Sequence, residues 1–212
     1  MTSTGPNDPH IIEEHWSHPD HPLELFQFII NEHDDDDNTT ILICDGCTQP
    51  ITVTHPSYYG CTQCKFFLHS VCATKLPTVL PIGSSSSHPQ HSLALTMKTR
   101  FYAAVYCEVC GCPTNGFYYK CEACDMKIDI CCAFLPSRIK YKSHKHHPFI
   151  LQPAYHHHPV TLIFSIPDEH RYFGRWCNIC SDYVPVISWM YYCHKCTYFV
   201  HIKCATAPVS AL

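Results

Sequence analysis

Apolar residues in this chain come in short runs. Three of them alternate or cluster in a β-like way and each is led by a histidine: His21 in HPLELF, His91 in HSLALT, and either His147 in HPFIL or His158 in HPVTLIF. Runs of this length, rich in β-branched and large apolar residues and bounded by proline, predict short strands. Tyrosine pairs Tyr58/Tyr59, Tyr118/Tyr119 and Tyr191/Tyr192 lie in further β-favouring stretches, and one of each pair is expected to pack a small core. Brief helices are expected around 71–75, 132–135 and 204–207. No run approaches the roughly 18 apolar residues of a membrane-spanning helix. The expected fold is small, β-rich and irregular.

Composition says what must hold such a fold together. The 212 residues include 17 Cys, 18 His and 17 Pro, with only 15% charged. Cysteine at this density reads either as a disulfide framework or as metal ligation. The amino end, MTSTGPNDPHIIEEHW, has no basic start followed by an apolar run, so a reducing compartment, cytoplasmic or nuclear, is expected. An odd cysteine count leaves one thiol over in a purely disulfide scheme, and disulfides do not need histidine. Metal accounts for both residue types. The net charge of -4, with the acidic run at 34–37 read as a solvated loop, gives no electrostatic case for nucleic acid. Arg138, Lys140, Lys142 and Lys145 make only a small basic patch, read as linker.

The cysteines repeat. Cys44/Cys47 then Cys61/Cys64, Cys107/Cys110 then Cys121/Cys124, and Cys177/Cys180 then Cys193/Cys196 form three pairs of C-x-x-C knuckles, ten to thirteen residues apart. Each second knuckle runs into a similar tail, CKFFLHSVCA, CDMKIDICCA or CTYFVHIKCA, which aligns His69, Asp129 and His201, then Cys72, Cys132 and Cys204. Two C-x-x-C pairs at such spacing already signal zinc, because the tight turn aims two thiolates at one ion and a second pair must arrive from elsewhere. Cys112 and Cys131 fall outside the repeat.

A cross-braced arrangement follows, with two interleaved sites per finger. In finger one, Cys44, Cys47, His69 and Cys72 would form one site and His21, Cys61, Cys64 and His88 the other. In finger two, Cys107, Cys110, Asp129 and Cys132 would form the first, and His91, Cys121, Cys124 and His144 the second. HPQH (88–91) and HKHH (144–147) are thus read as junctions whose first histidine closes one finger and whose second opens the next. Finger three offers Cys177, Cys180, His201 and Cys204, then His158 with Cys193 and Cys196. No downstream histidine remains for that last set, so 156–158 are expected to complete it or leave it weak. The expected limits are a tail at 1–17 and fingers at 18–88, 89–144 and 145–212, holding four to six zinc ions. A unit this small buries little apolar surface, so zinc, at roughly 10–16 kcal/mol of apparent binding energy per structural ion, should be a condition of folding.

The pattern in HPLEL, YYGCTQCKFFLHSVCA, YYKCEACDMKIDICCA, YYCHKCTYFVHIKCA and the HPQH junction resembles the divergent C-one zinc-finger family of plants, relatives of the diacylglycerol- and phorbol-ester-binding fold. The resemblance covers about residues 18–208. It implies tandem zinc fingers in intracellular signalling, acting as a scaffold for protein or small-ligand recognition, with an unnamed protein partner. Related lipid binders carry a Gln-Gly pair before the second knuckle; this chain has Ser57-Tyr58-Tyr59-Gly60 there, which departs from the lipid-binding pattern. Two alternatives remain. Trp189 and Met190 could form an apolar tip for diacylglycerol membranes. Trp176-Cys177-Asn178-Ile179-Cys180 superficially resembles a W-C-x-x-C redox centre, which would make the chain a protein-disulfide reductase. Such a centre needs a low-pKa thiolate at a helix start, and the same cysteines complete the zinc repeat, so a non-enzymatic reading leads.

Overall fold

The short apolar runs become the first long strand of three similar antiparallel sheets. The computed structural model describes residues 8–27, 41–52, 56–97, 104–114, 116–139, 158–170 and 176–206. In finger one, β1 (Ile11–Ile12), β2 (Leu23–Gln27), β3 (Ser57–Cys61) and β4 (Phe66–His69) lie side by side in that order, followed by helix α1 (Ser70–Thr74). Finger two has β5 (Val79–Leu80), β6 (Leu93–Met97), a two-stranded ribbon of β7 (Val105–Tyr106) and β8 (Pro113–Thr114), then β9 (Phe117–Lys120), β10 (Lys127–Asp129) and α2 (Ile130–Ala133). Its sheet order is β5-β6-β9-β10. Finger three repeats this with β11 (Arg138–Ile139), β12 (Val160–Ser165), β13 (Ile187–Cys193), β14 (Tyr198–His201) and α3 (Ile202–Thr206). Each expected helix is present and begins one or two residues earlier than its sequence pattern suggested. No helix among the described residues is long and apolar enough to cross a membrane.

The two-residue leading strands β1, β5 and β11 shift the finger boundaries. β5 precedes His88 and pairs with β6 (Leu80 opposite Leu93), and β11 precedes residue 144 and pairs with β12 (Ile139 opposite Val160). Breaks at 88/89 and 144/145 would separate these strands from their own sheets. Prolines that read as linker punctuation instead lead into edge strands, where a missing N–H costs nothing. Tyrosines anchor them: the hydroxyls of Tyr59, Tyr119 and Tyr191 donate to the carbonyls of Pro9 (2.5 Å), Pro77 (2.8 Å) and Pro136 (2.8 Å). All three rings are fully buried and their polar tips satisfied; in the third pair Tyr192 is buried as well, so both of its tyrosines pack the core where one was expected.

Fingers one and two share a single core. Leu23, Ile51 and Leu68 of the first and Leu93, Phe117 and Ile128 of the second belong to one buried cluster. At the seam the Phe117 N–H donates to the Gly46 carbonyl at 2.7 Å, and the Trp16 and Phe117 rings pack 4.7 Å apart. Gly116 has no room for a side chain, since a Cβ there would overlap the Gly46 carbonyl oxygen. Finger three has its own cluster around Val160, Val184, Met190 and Val200, while its Trp189 and Ile202 join the cluster of fingers one and two. Met190 is fully buried and Trp189 is packed, so these two residues do not form the apolar tip expected of a lipid-binding loop.

Gly116→Ala should therefore open the seam. Steric overpacking of this kind costs about 1–3 kcal/mol. A lowered thermal midpoint is expected for the zinc-loaded chain, with zinc content unchanged, readable by calorimetry beside elemental analysis.

Candidate metal centres

Every knuckle is built the same way. In the first knuckle of each finger the cysteine amide closes a tight hairpin: Cys44 N–H to Gln49 O, Cys107 N–H to Cys112 O and Cys177 N–H to Asp182 O, at 2.8–2.9 Å. The residue just after the second cysteine must adopt a left-handed backbone. Thr48 (φ 59°), Lys65 (φ 54°), Gly111 (φ 73°), Asp125 (φ 54°), Ser181 (φ 60°) and Thr197 (φ 52°) occupy that position in the six knuckles, so only finger two places a glycine there. Left-handed backbone costs a non-glycine residue roughly 1–2 kcal/mol, and closing two sulfurs on one centre offsets it. The middle of the first knuckle is then pinned to the sheet. Asp45, Glu108 and Asn178 each donate a backbone N–H to the strand carbonyl of Phe67, Lys127 or Phe199, and accept that residue's N–H on a side-chain oxygen.

The first cluster in each finger joins this pinned knuckle to the end of the last strand and the following helix. Cys44, Cys47, His69 and Cys72 meet in finger one, Cys107, Cys110, Asp129 and Cys132 in finger two, and Cys177, Cys180, His201 and Cys204 in finger three, with the donor atoms of each set within 4.8 Å of one another. His69 Nδ1 lies 3.3 Å from Cys47 Sγ, and His201 Nδ1 lies 3.4 Å from Cys180 Sγ. Tetrahedral zinc with bonds of about 2.0–2.3 Å sets its donors roughly 3.3–3.8 Å apart, so these separations suit it. The outer ring nitrogens make the support typical of a ligating imidazole: Nε2–H of His69 donates to Pro50 O and that of His201 to Tyr183 O, both at 3.1 Å, which leaves Nδ1 a lone pair for metal.

Charge makes the same argument. In the first finger the partner sulfurs of Cys47 and Cys72 hold the Cys44 thiol far below its usual range, while those of Cys44 and Cys47 push Cys72 far above it. His69 is raised to about 10: burial opposes its charge, but the thiolates of Cys44 and Cys47 outweigh burial. Crowded sulfurs compete for anionic character, and a divalent cation lets all of them ionise together. Backbone amides assist, with His69 N–H donating to Cys44 Sγ at 3.3 Å and Asp129 N–H to Cys107 Sγ at 3.4 Å.

Asp129 does two jobs where His69 does one. Its Oδ1 accepts the Cys132 N–H at 2.7 Å, capping α2, while Oδ2 lies 3.1 Å from Cys110 Sγ. Burial, followed by the Cys107 thiolate, raises its carboxyl above the ordinary range. The aspartate therefore stands inside the donor set, and a cation there would reverse that shift.

The second clusters are paired differently from the sequence expectation. His18, His21, Cys61 and Cys64 meet in finger one, and His88, His91, Cys121 and Cys124 in finger two. His88 does not close finger one; both histidines of H-P-x-H serve the finger that they open. The geometry explains it: within the turn, His88 Nε2 comes 3.3 Å from His91 Nδ1, and that Nδ1 lies 3.2 Å from Cys124 Sγ. His21 Nδ1 likewise lies 3.2 Å from Cys64 Sγ. His18 was missed, although HPDH (18–21) matches HPQH (88–91) letter for letter at three of four positions. Its Nε2 is a buried polar nitrogen with no hydrogen-bond partner, which is what an imidazole awaiting a cation looks like.

Finger three places His158, not His147, at the position of His21 and His91. Its Nδ1 lies 2.9 Å from Cys196 Sγ, with Cys193 beside that sulfur. Fingers one and two complete their second sets without a histidine from downstream, while the described residues of finger three bring together His158, Cys193 and Cys196. His144, His147, His156 and His157 lie outside the described residues, and finger two has four donors without His144. Cys112 and Cys131 are exposed and outside the five four-donor sets. The Cys177–Cys180 pair sits in a hairpin closed by the Trp176–Tyr183 bridge, with no helix start at its thiols.

Paired Cys/His clusters on a short β framework define a zinc-finger protein. The C1 domain family model matches residues 16–73 and 86–133, together half of the chain, and the chain belongs to that family. Residues 153–210 match the KKT2/KKT3 zinc finger domain, so finger three is similar to a different zinc-finger model from fingers one and two. No curated protein and no solved structure matches the chain.

Swapping histidines checks the revised pairing. His18→Ala should weaken one metal site in finger one, and His88→Ala one in finger two, each leaving the other finger intact; cadmium-113 NMR of the substituted protein reads which site changes. Cys112→Ser and Cys131→Ser should leave metal content unchanged, whereas Cys107→Ser should remove about one ion's worth, measured by elemental mass spectrometry.

Proposed function

We propose that the chain is a non-enzymatic recognition scaffold whose zinc ions are structural and whose partner is a protein of the cytoplasm or nucleus, in a signalling setting. The observation that carries this is the donor count: five clusters each gather four protein ligands, which fills tetrahedral zinc and leaves no coordination position for substrate or water. On this reading His18, His21, Cys61 and Cys64 hold one ion and the other four-donor sets one each, with His158, Cys193 and Cys196 contributing to a sixth. Finger two then begins near Pro77 and finger three near Pro136, where the leading strands and their tyrosine anchors start.

The thiols serve as ligands on this reading, not as a redox couple. Cys177 and Cys180 share their cluster with His201 and Cys204, and zinc between them would suppress thiol–disulfide exchange. Five or six zinc ions per chain are expected from protein purified under reducing conditions, with nearly all thiols protected until a chelator is added. Chelation should also abolish the folded near-ultraviolet signal, because the metal is a folding requirement. Zinc near zero with oxidised thiols, or insulin reduction abolished by Cys177→Ser and retained in Cys44→Ser, would overturn the proposal.

A further inference from the structure

The fingers stack by a repeated pair of side chains, and the pair is missing at one end only. In finger two the pair is Phe117, four residues before the second knuckle, and Ile130, the first residue of α2; both are buried in the shared core. Finger three carries Trp189 and Ile202 at the same two positions, and both join the cluster that holds Val109 and Cys132 of finger two. Finger one carries Ser57 and Ser70 there, with Ser70 Oγ donating to Ser57 Oγ at 3.0 Å. Its forward face is thus polar and turned on itself, with Ser57 buried.

The receiving face is apolar in all three fingers. It centres on the residue before the second cysteine of the first knuckle and on the helix cysteine: Gly46 and Cys72, Val109 and Cys132, Ile179 and Cys204. Phe117 lies against Gly46 and close to Cys72, so a Cβ on Gly46 would meet the Phe117 ring at 3.0 Å and Cys72 Cβ at 3.2 Å. Where a following finger covers the face the helix cysteine is buried, 6% exposed for Cys72 and 3% for Cys132; in finger three Ile179 and Cys204 remain partly exposed.

We propose that the face of finger three around Ile179 and Cys204 is a docking site for a protein that presents an aromatic and an aliphatic side chain side by side, from a strand end and a helix start, as a further finger of this kind does. Phe117 covers this face at the first internal junction, and at the second Trp189 and Ile202 share one buried cluster with Val109 and Cys132, which points to the chemistry of its occupant. A second copy of this chain is the wrong partner, because its forward face offers only the two serines. The inference deepens the scaffold reading by naming the surface used.

The test supplies the missing pair. In the zinc-loaded full-length chain, Ser57→Trp with Ser70→Ile gives one end the donor pair and leaves the other end receptive. Sedimentation velocity across the micromolar range should show the parent as a monomer and the double variant as concentration-dependent oligomers, its weight-average mass at least doubling. Adding Ile179→Asp should return it to monomer. If the tryptophan variant loses zinc, Ser57→Leu with Ser70→Ile serves instead. A monomer at every concentration with full zinc content overturns the proposal while leaving the scaffold reading intact. Parent self-association abolished by Ile179→Asp would make a second copy the occupant, and association seen only after deletion of 207–212 would assign the face to the chain's own end; either overturns it. Loss of zinc from the parent itself would sink the scaffold reading instead.

Discussion

Thiolates repel one another, and each finger brings several of them together at two points. In the first cluster of finger one, three sulfurs and an imidazole share a small volume in which a divalent cation lets the thiols ionise together. The strands that bring them there are short: β4 has four residues and α1 five. Neither would be stable as an isolated element, since a short helix is dominated by its nucleation cost and two-stranded pieces are marginal in water. Metal charge balance therefore sets the strand and helix limits. The left-handed residues after each knuckle show how far the chain yields to it, since five of the six are not glycine.

Around those centres the apolar surface is arranged to serve more than one finger. Phe117 belongs to finger two by sequence and lies on the Gly46 backbone of finger one, in direct reach of the Cys44–Cys47 knuckle. Cys131 stands at the same seam. Burial, followed by the charges of Asp129, Cys47, Cys107 and Cys44, pushes its thiol up to about 12. Cys131 and Cys112 belong neither to the five four-donor sets nor to the group of His158, Cys193 and Cys196.

Much of this was legible because metal ligation forces residue types and spacings. The six knuckles, the H-x-x-C tails and the buried tyrosine of each pair follow from the sequence with little help. The second clusters did not, and His88 shows why: a histidine midway between two fingers can be assigned to either by spacing alone, and only the turn that brings His88 Nε2 to His91 Nδ1 decides it. The leading strands were hidden for a similar reason. Two-residue elements such as Val79–Leu80 carry no periodicity, and their flanking prolines read as linker until the register with β6 is known. Asp129 aligns in sequence with His69 and His201, and the fold puts it in their place, with one carboxylate oxygen capping α2 and the other in the donor set.

The path from α1 to β5 leaves only Lys75 through Thr78 between one finger's helix and the next finger's sheet. A tether so short holds the two halves of the seam at a high effective concentration. Docking of Phe117 onto finger one is then an intramolecular event whose probability does not depend on how much protein the cell makes. Metal captured by either finger raises the odds that its neighbour closes, and the pair would acquire its ions in a concerted fashion.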